Sequence, residues 1–238
     1  MIQALFAKRC DALVMDNHIF LYHTQNLKGI KTLDSPLVTA EMGVCFGKGQ
    51  HVELRQQFNE FLKKIKADGT YDEIYNRWMY HADEAEMPEI QMPEGGEPIR
   101  VATNSTAPPL VFIKEGKLVG HDIELANRFA ASIGRRIEWS DMNFSALIPA
   151  LVSGNQDMIA SGVNITPERM ESIDFSDSYF SCNTLIAIRE ENSVGYVEGV
   201  NDITKTGFVE NIKTGIQRNI MEEDRYLMIL DGLKISAI

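Results

Sequence analysis

Ala160-Ser161-Gly162-Val163-Asn164-Ile165-Thr166-Pro167-Glu168-Arg169, running on to Asp174-Phe175-Ser176-Asp177-Ser178-Tyr179, decides how this chain is read. Residues 157–160 read as a buried strand that runs into small polar residues. Thr166 has the chemistry of an N-cap, with Pro167 at the first helical position. A helix N-terminus points unpaired N–H groups outward and favours a negative ligand. Arg169, three residues past the cap, can bring a planar fork of donors to the same spot. Together these suit a carboxylate bound through both oxygens. The same residues also suit an ordinary capped helix with a surface arginine, and spacing does not separate the two readings.

Working outward, 238 residues allow one or two domains with a sizeable core. The balance of 23 basic to 34 acidic residues gives a net charge of −11, which argues against nucleic acid as a partner. The three cysteines, Cys10, Cys45 and Cys182, are too few and too scattered for a disulfide framework or a zinc site. The five histidines show no metal spacing, so no metal is expected. No stretch is long and apolar enough to cross a bilayer. Residues 1–9 lack the basic start and long apolar run of a signal peptide and read as the end of an amphipathic helix.

In chain order, residues 11–15 are an apolar run between polar ends, read as a buried strand of a parallel sheet. Asp16 sits at its C-terminal edge, where ligands collect in open α/β sheets, and is a candidate partner for a cationic group. It is equally a candidate helix cap, since residues 19–25 read as a helix. Residues 31–33 and 43–46 read as strands. Residues 53–66 set Leu54, Phe58, Phe61, Leu62 and Ile65 against charged positions, an amphipathic helix, and 71–79 form another with Ile74, Tyr75 and Trp78 inward. Residues 81–98 are acidic, carry three prolines and two glycines and lack Lys and Arg, which predicts a solvated linker. A second α/β unit follows: strands at 99–102, 137–139, 157–160 and 182–189, helices after Gly120 and over 144–153. Strands alternating with helices imply a mostly parallel sheet.

Ile165-Thr166-x-x-Arg169 with Ile173-Asp174-Phe175-Ser176-Asp177-x-Tyr179 resembles the signature of family 3 extracellular solute-binding proteins, the amino-acid receptors of bacterial ABC importers. Gly116-Lys117-Leu118-Val119-Gly120-x-Asp122-Ile123 and Met142-x-Phe144-x-x-Leu147-Ile148-Pro149-Ala150-Leu151 resemble the family's N-terminal lobe. Ala12-Leu13-Val14-x-Asp16, Gly43-Val44-x-Phe46-x-Lys48-Gly49, Leu54-Arg55-x-x-Phe58-Asn59 and Asp68-Gly69-Thr70-Tyr71-Asp72-Glu73-Ile74-Tyr75-x-x-Trp78 resemble its C-terminal third. The order is reversed, and no equivalent of the start of the second lobe is visible in residues 190–206. Residues 207–238 resemble the pre-membrane entry of an amino-acid ABC permease, or are a plain amphipathic helix.

The resemblance implies an α/β, type II periplasmic-binding-protein-like fold: one lobe nearly complete in permuted order plus a partial second lobe. The expected segments are a partial second lobe at 1–41, the C-terminal part of lobe one at 42–80, a linker at 81–98, the N-terminal part of lobe one at 99–190, a linker at 191–206 and the tail at 207–238. Phe58, Leu62, Ile74 and Trp78 are expected against the strands at 99–102 and 157–160. The implied function is binding of a polar L-amino acid, with no cofactor. Arg169 would clamp the α-carboxylate with help from the Thr166 N–H and Asn164, and Ser161 is a further ligand-binding candidate. Gly162 would offer a carbonyl to the ammonium, and the counterpart of Asp16 would pair with it. Phe144 would stack on the ligand, or belong to the core. Asn104 stands where some members place an acid, and Ala107 where many place an aromatic. Implied partners are an ABC permease, in the same full-length chain or apart, and its ATPase subunit, at the periplasmic or extracellular face of the membrane. In an exported family, the missing export signal implies a chain without its true beginning, and the tail implies a membrane segment after Ile238. Competing classes are the sensing domain of a membrane receptor and a dehydratase-like enzyme of the same fold. No Ser-His-Asp spacing, paired acid/base carboxylates or phosphate loop supports an enzyme.

Overall fold

The computed structural model describes residues 2–9, 12–33, 36–93, 95, 97–190 and 228–229. The chain opens with α1 (Ile2–Phe6), β1 (Ala12–Asp16), α2 (Asn17–Thr24), β2 (Ile30–Thr32), β3 (Val38–Met42) and β4 (Cys45–Gly47). Two helices follow, α3 (Val52–Ala67) and α4 (Thr70–His81). Leu54, Phe58, Phe61, Leu62 and Ile65 make the buried stripe of α3. Glu53 in its first turn and Lys64 and Lys66 in its last complement the helix dipole. The second part holds β5 (Ile99–Thr103), β6 (Thr106–Ala107), β7 (Val111–Lys114), β8 (Lys117–Val119), α5 (His121–Ser132), β9 (Ile137–Asp141), α6 (Phe144–Val152), β10 (Met158–Ile159), α7 (Pro167–Ser172), β11 (Ile173–Phe175) and β12 (Phe180–Arg189). A two-residue strand, β13, is Met228–Ile229.

These elements form two compact units. Unit 1 is Met1–Thr39 with Cys182–Ile238, and unit 2 is Ala40–Ser181. In unit 1, β1 lies between β12 and β13, and β2 pairs with the far side of β12. Both neighbours of β1 run antiparallel to it, with Asp16 opposite Thr184 and Val14 opposite Met228. The parallel arrangement expected for residues 11–15 is therefore corrected. Leu13 and Met15 share a core with Leu5 and Ile19, so the apolar run reported burial and carried no information on strand direction. The helical expectation for residues 207–238 and the linker at 191–206 lie outside the described residues, apart from β13.

In unit 2, β9, β5 and β10 run parallel, as expected for α/β alternation. The sheet then continues with two antiparallel strands, β4 beside β10 and β11 beside β4. A strand from the first part of the chain is thus an interior member of a sheet built mostly from the second. Helices α3 and α4 pack on α5, with the Phe58 ring 5.1 Å from the Phe129 ring, edge to face. Trp78 donates its indole N–H to Glu124 of α5 at 2.7 Å. Helix α5 is thus a principal packing partner of these aromatic residues. The segment after α4 is irregular but tied down at both ends. Lys114 Nζ donates to the carbonyls of Ala82, Asp83 and Ala85, and Arg135 donates to those of Glu97 and Pro98. Ala82 and Ala85 are buried, so the solvated-linker expectation fails at its start.

Candidate functional site

The loop between β10 and α7 is held residue by residue. Ala160 N–H donates to Ala102 O and its carbonyl accepts from Thr103 Oγ1 at 2.7 Å. Ser161 Oγ accepts from Asn104 N–H at 3.0 Å. Gly162 N–H donates to Asp122 Oδ2 at 2.7 Å. Val163 O accepts from Gly43 N–H, Asn164 forms a bridge with Met42, and Ile165 N–H donates to Glu41 O at 2.7 Å. The loop therefore spans from the end of β5 to the chain around residues 41–43, with its conformation set from both sides. Gly162 has φ +58°, and a Cβ there would stand 2.7 Å from Leu110 Cδ1. The position needs glycine for backbone conformation and for space.

Thr166 caps α7, accepting from Arg169 N–H at 3.3 Å. The helix has six residues, Pro167 has no N–H, and the cap uses that of Arg169. Among the described residues, the N–H groups of Thr166 and Glu168 have no backbone acceptor in this turn, fewer open donors than a long helix would offer. The guanidinium is the main cationic element. Arg169 Nη1 donates to Asn164 O at 2.9 Å, and its Cζ lies 5.7 Å from the Phe144 ring centre. Burial pushes the Arg169 guanidinium below its ordinary value, partly offset by Cys45 and Glu168. A desolvated cation gains most from an anionic partner. Asn164 is buried, and its Oδ1 has no hydrogen-bond partner among the described residues.

Of the residues expected at the site, unit 2 brings Arg169, Phe144, Asn164 and Thr166 into direct contact or adjacency. Phe144, the first residue of α6, is half-buried, and the core role expected as one alternative is observed. One face meets Arg169, and it also packs on the core of Cys45, Ala102, Leu147, Leu151, Ile159, Val163 and Ile173. Ser161 and Gly162 hold the loop. Asn104 donates Nδ2 to Met142 O at 2.9 Å and accepts on Oδ1 from the Thr106 N–H and hydroxyl, so its side chain is spent on the β5–β6 turn. Asp16 belongs to unit 1, where it stands at the N-cap of α2 without a side-chain capping bond and accepts from Thr184 Oγ1 at 2.9 Å.

Asp122 is a positioning residue that the sequence pattern does not single out. It is 1% exposed and collects the Gly162 N–H, the Tyr179 hydroxyl at 2.6 Å and His121 Nδ1 at 2.9 Å. Burial, and secondly the Asp122 charge, holds the Tyr179 phenol well above its usual range, so it stays a donor. Tyr71 in turn donates to Tyr179 O. A local cue is Gly120-His121-Asp122-Ile123: two polar residues opening an apolar helix face.

A capped turn, an orienting carbonyl and an arginine on an aromatic ring thus meet at the strand ends of an α/β sheet. The chain matches the family model for bacterial extracellular solute-binding proteins, family 3, over residues 3–81 and 99–230, and belongs to that family. It is 30% identical over 131 residues to the arginine-binding extracellular protein ArtP of Bacillus subtilis (strain 168), an alignment covering 55% of this chain and 48% of that protein. It is 35% identical over 127 residues to a probable histidine-binding protein of Campylobacter jejuni, covering 53% and 46%. A solved structure, an ancestral arginine-binding protein bound to arginine, is 48% identical with a TM-score of 0.35, covering 35% of this chain and 37% of that one. The chain spans about half the length of the curated relatives it matches. These relatives are binding proteins. Among the described residues no helix is long and apolar enough to cross a membrane.

Proposed function

We propose that this chain is a solute-binding component of an amino-acid ABC importer and takes a polar L-amino acid through its α-carboxylate at Arg169. The observation that carries the reading is the half-buried guanidinium, braced by Asn164 O and seated on Phe144. Its fork matches a carboxylate, with the Thr166 and Glu168 N–H groups beside it. Asn164 Oδ1 and the Gly162 carbonyl suit the ammonium. Arginine and histidine head the candidate ligands because two relatives are named for them. The lobe is read as the family's own in permuted order, supported by β4 lying inside the sheet of β5, β9 and β10. The partners would be the importer's permease and ATPase subunits, and the resemblance in residues 207–238 favours a permease continuous with this chain.

Calorimetric titration with a panel of L-amino acids tests the reading. At least one should bind, and Arg169→Ala should cost about 2–5 kcal/mol, or roughly 30-fold to several thousand-fold in Kd. Unchanged affinity in that variant refutes the assignment.

A further inference from the structure

We propose that Asp16, His18 and Cys182 form a binding site for a divalent transition metal of zinc's class within unit 1. One donor atom from each of the three lies within 4.8 Å of the other two, and His18 Nδ1 is 3.8 Å from Cys182 Sγ. Around tetrahedral zinc, bonds of about 2.0–2.3 Å place sulfur, nitrogen and oxygen ligands roughly 3.4–3.6 Å apart. The imidazole–thiol edge is close to that spacing already, and the other edges need to close by roughly 1.4 Å at most.

The placement is built from regular structure. Asp16 ends β1 directly opposite Thr184 of β12, and Cys182 lies two residues along β12, on the same face as Thr184. His18 sits in the first turn of α2, two residues past the strand end. Asn17, between the two ligands, accepts the Asn183 N–H on Oδ1 at 3.2 Å, which pins this corner to β12 beside the thiol. Thr184 Oγ1 donates to Asp16 Oδ1 and orients the carboxylate, leaving the second oxygen for an ion. His18 and Cys182 are each 1% exposed, while Asp16 is half-buried and marks the entry side.

Thiolate with imidazole selects zinc, cobalt or copper over magnesium and calcium, which take oxygen ligands. Three protein ligands leave a fourth position for water or an exogenous group. Binding displaces the Cys182 thiol proton to solvent, so affinity rises with pH. No metal spacing shows in the sequence because Cys182 is 164 positions from His18, and only the β1–β12 pairing brings them together.

The test uses the full chain with Cys10→Ser and Cys45→Ala, so that Cys182 is its one thiol. Titration with Co²⁺ should produce a thiolate-to-cobalt charge-transfer band and the strong visible bands of tetrahedral cobalt, saturating at one ion per chain and abolished by Zn²⁺. Asp16→Asn and His18→Gln should each weaken cobalt binding by about tenfold or more, and Cys182→Ser should remove the charge-transfer band. Absence of the band in the single-thiol chain overturns the proposal. So does unchanged cobalt affinity in both Asp16→Asn and His18→Gln, which decides the matter even if Cys182→Ser fails to fold.

Discussion

Glu124→Ala is the sharpest test of how the two parts of unit 2 are joined. The Glu124 side chain is fully buried on α5. Its Oε1 accepts from Arg77 Nη1 at 2.6 Å and Arg128 Nε at 2.9 Å, and its Oε2 from Arg77 Nη1 at 2.8 Å and Trp78 Nε1 at 2.7 Å. Arg77 and Trp78 lie on α4, so this carboxylate ties the first part of the chain to the second. Removing it strands the buried indole N–H, at about 1–3 kcal/mol. It also breaks a buried ion pair, for which about 3–5 kcal/mol is usual. The two guanidiniums are 28% and 29% exposed and can recover water, which places the total near about 3–5 kcal/mol rather than the sum. For a unit of this size that is a melting shift of about 6–20 °C. Both tryptophans, Trp78 and Trp139, are in unit 2, so intrinsic fluorescence during urea or thermal unfolding reports this unit selectively. Glu124→Gln, which keeps an acceptor for Trp78, should lose less. A loss below about 1 kcal/mol in Glu124→Ala would refute the docking energetics.

Other expectations concern the binding loop and acid stability. Gly162→Ala should destabilise unit 2 by about 2–4 kcal/mol, combining left-handed backbone strain with overpacking on Leu110, and should weaken ligand binding; a neutral effect in urea unfolding would contradict the loop geometry. Tyr179→Phe removes a donor from buried Asp122 and should cost about 1–2 kcal/mol by the same assay. The Gly49 N–H holds the Asp174 carboxyl below 3.8 against the effect of burial, with help from Lys48 and Arg55. A depressed carboxylate contributes stability above 3.8 that is lost as pH falls through its folded value. Asp174→Asn should therefore flatten the acid limb of the unfolding profile below about pH 4, and an unchanged limb would show that the group is not coupled to folding.

The readable parts of the chain were those where one residue type has one physical use. Thr166-Pro167 marked the start of α7, and the stripe from Leu54 to Ile65 marked α3. The apolar run at residues 12–15 was legible as buried but not as antiparallel, because its partners lie some 170 and 215 positions away. The strands β6, β7 and β8 leave no periodic signal because they are short, with prolines and turn residues between them. At the site, the Thr166-Pro167 cap shows that Arg169 lies in the first turn of a helix, while the use of Asn104 on its own turn is not legible. That role depends on Met142 O and the Thr106 hydroxyl, which periodicity cannot supply. Asp122 looked like an ordinary first-turn acid until Gly162 and Tyr179 converged on it.

The central claim is that a guanidinium at position 169 receives an α-carboxylate. It is tested most directly by titrating the intact chain with the tightest-binding L-amino acid of the panel and with the same molecule lacking its carboxylate. The account predicts that the decarboxylated amine binds at least about 30-fold more weakly in wild type, and that this difference collapses in Arg169→Ala. Equal affinity for the two ligands in wild type would contradict it.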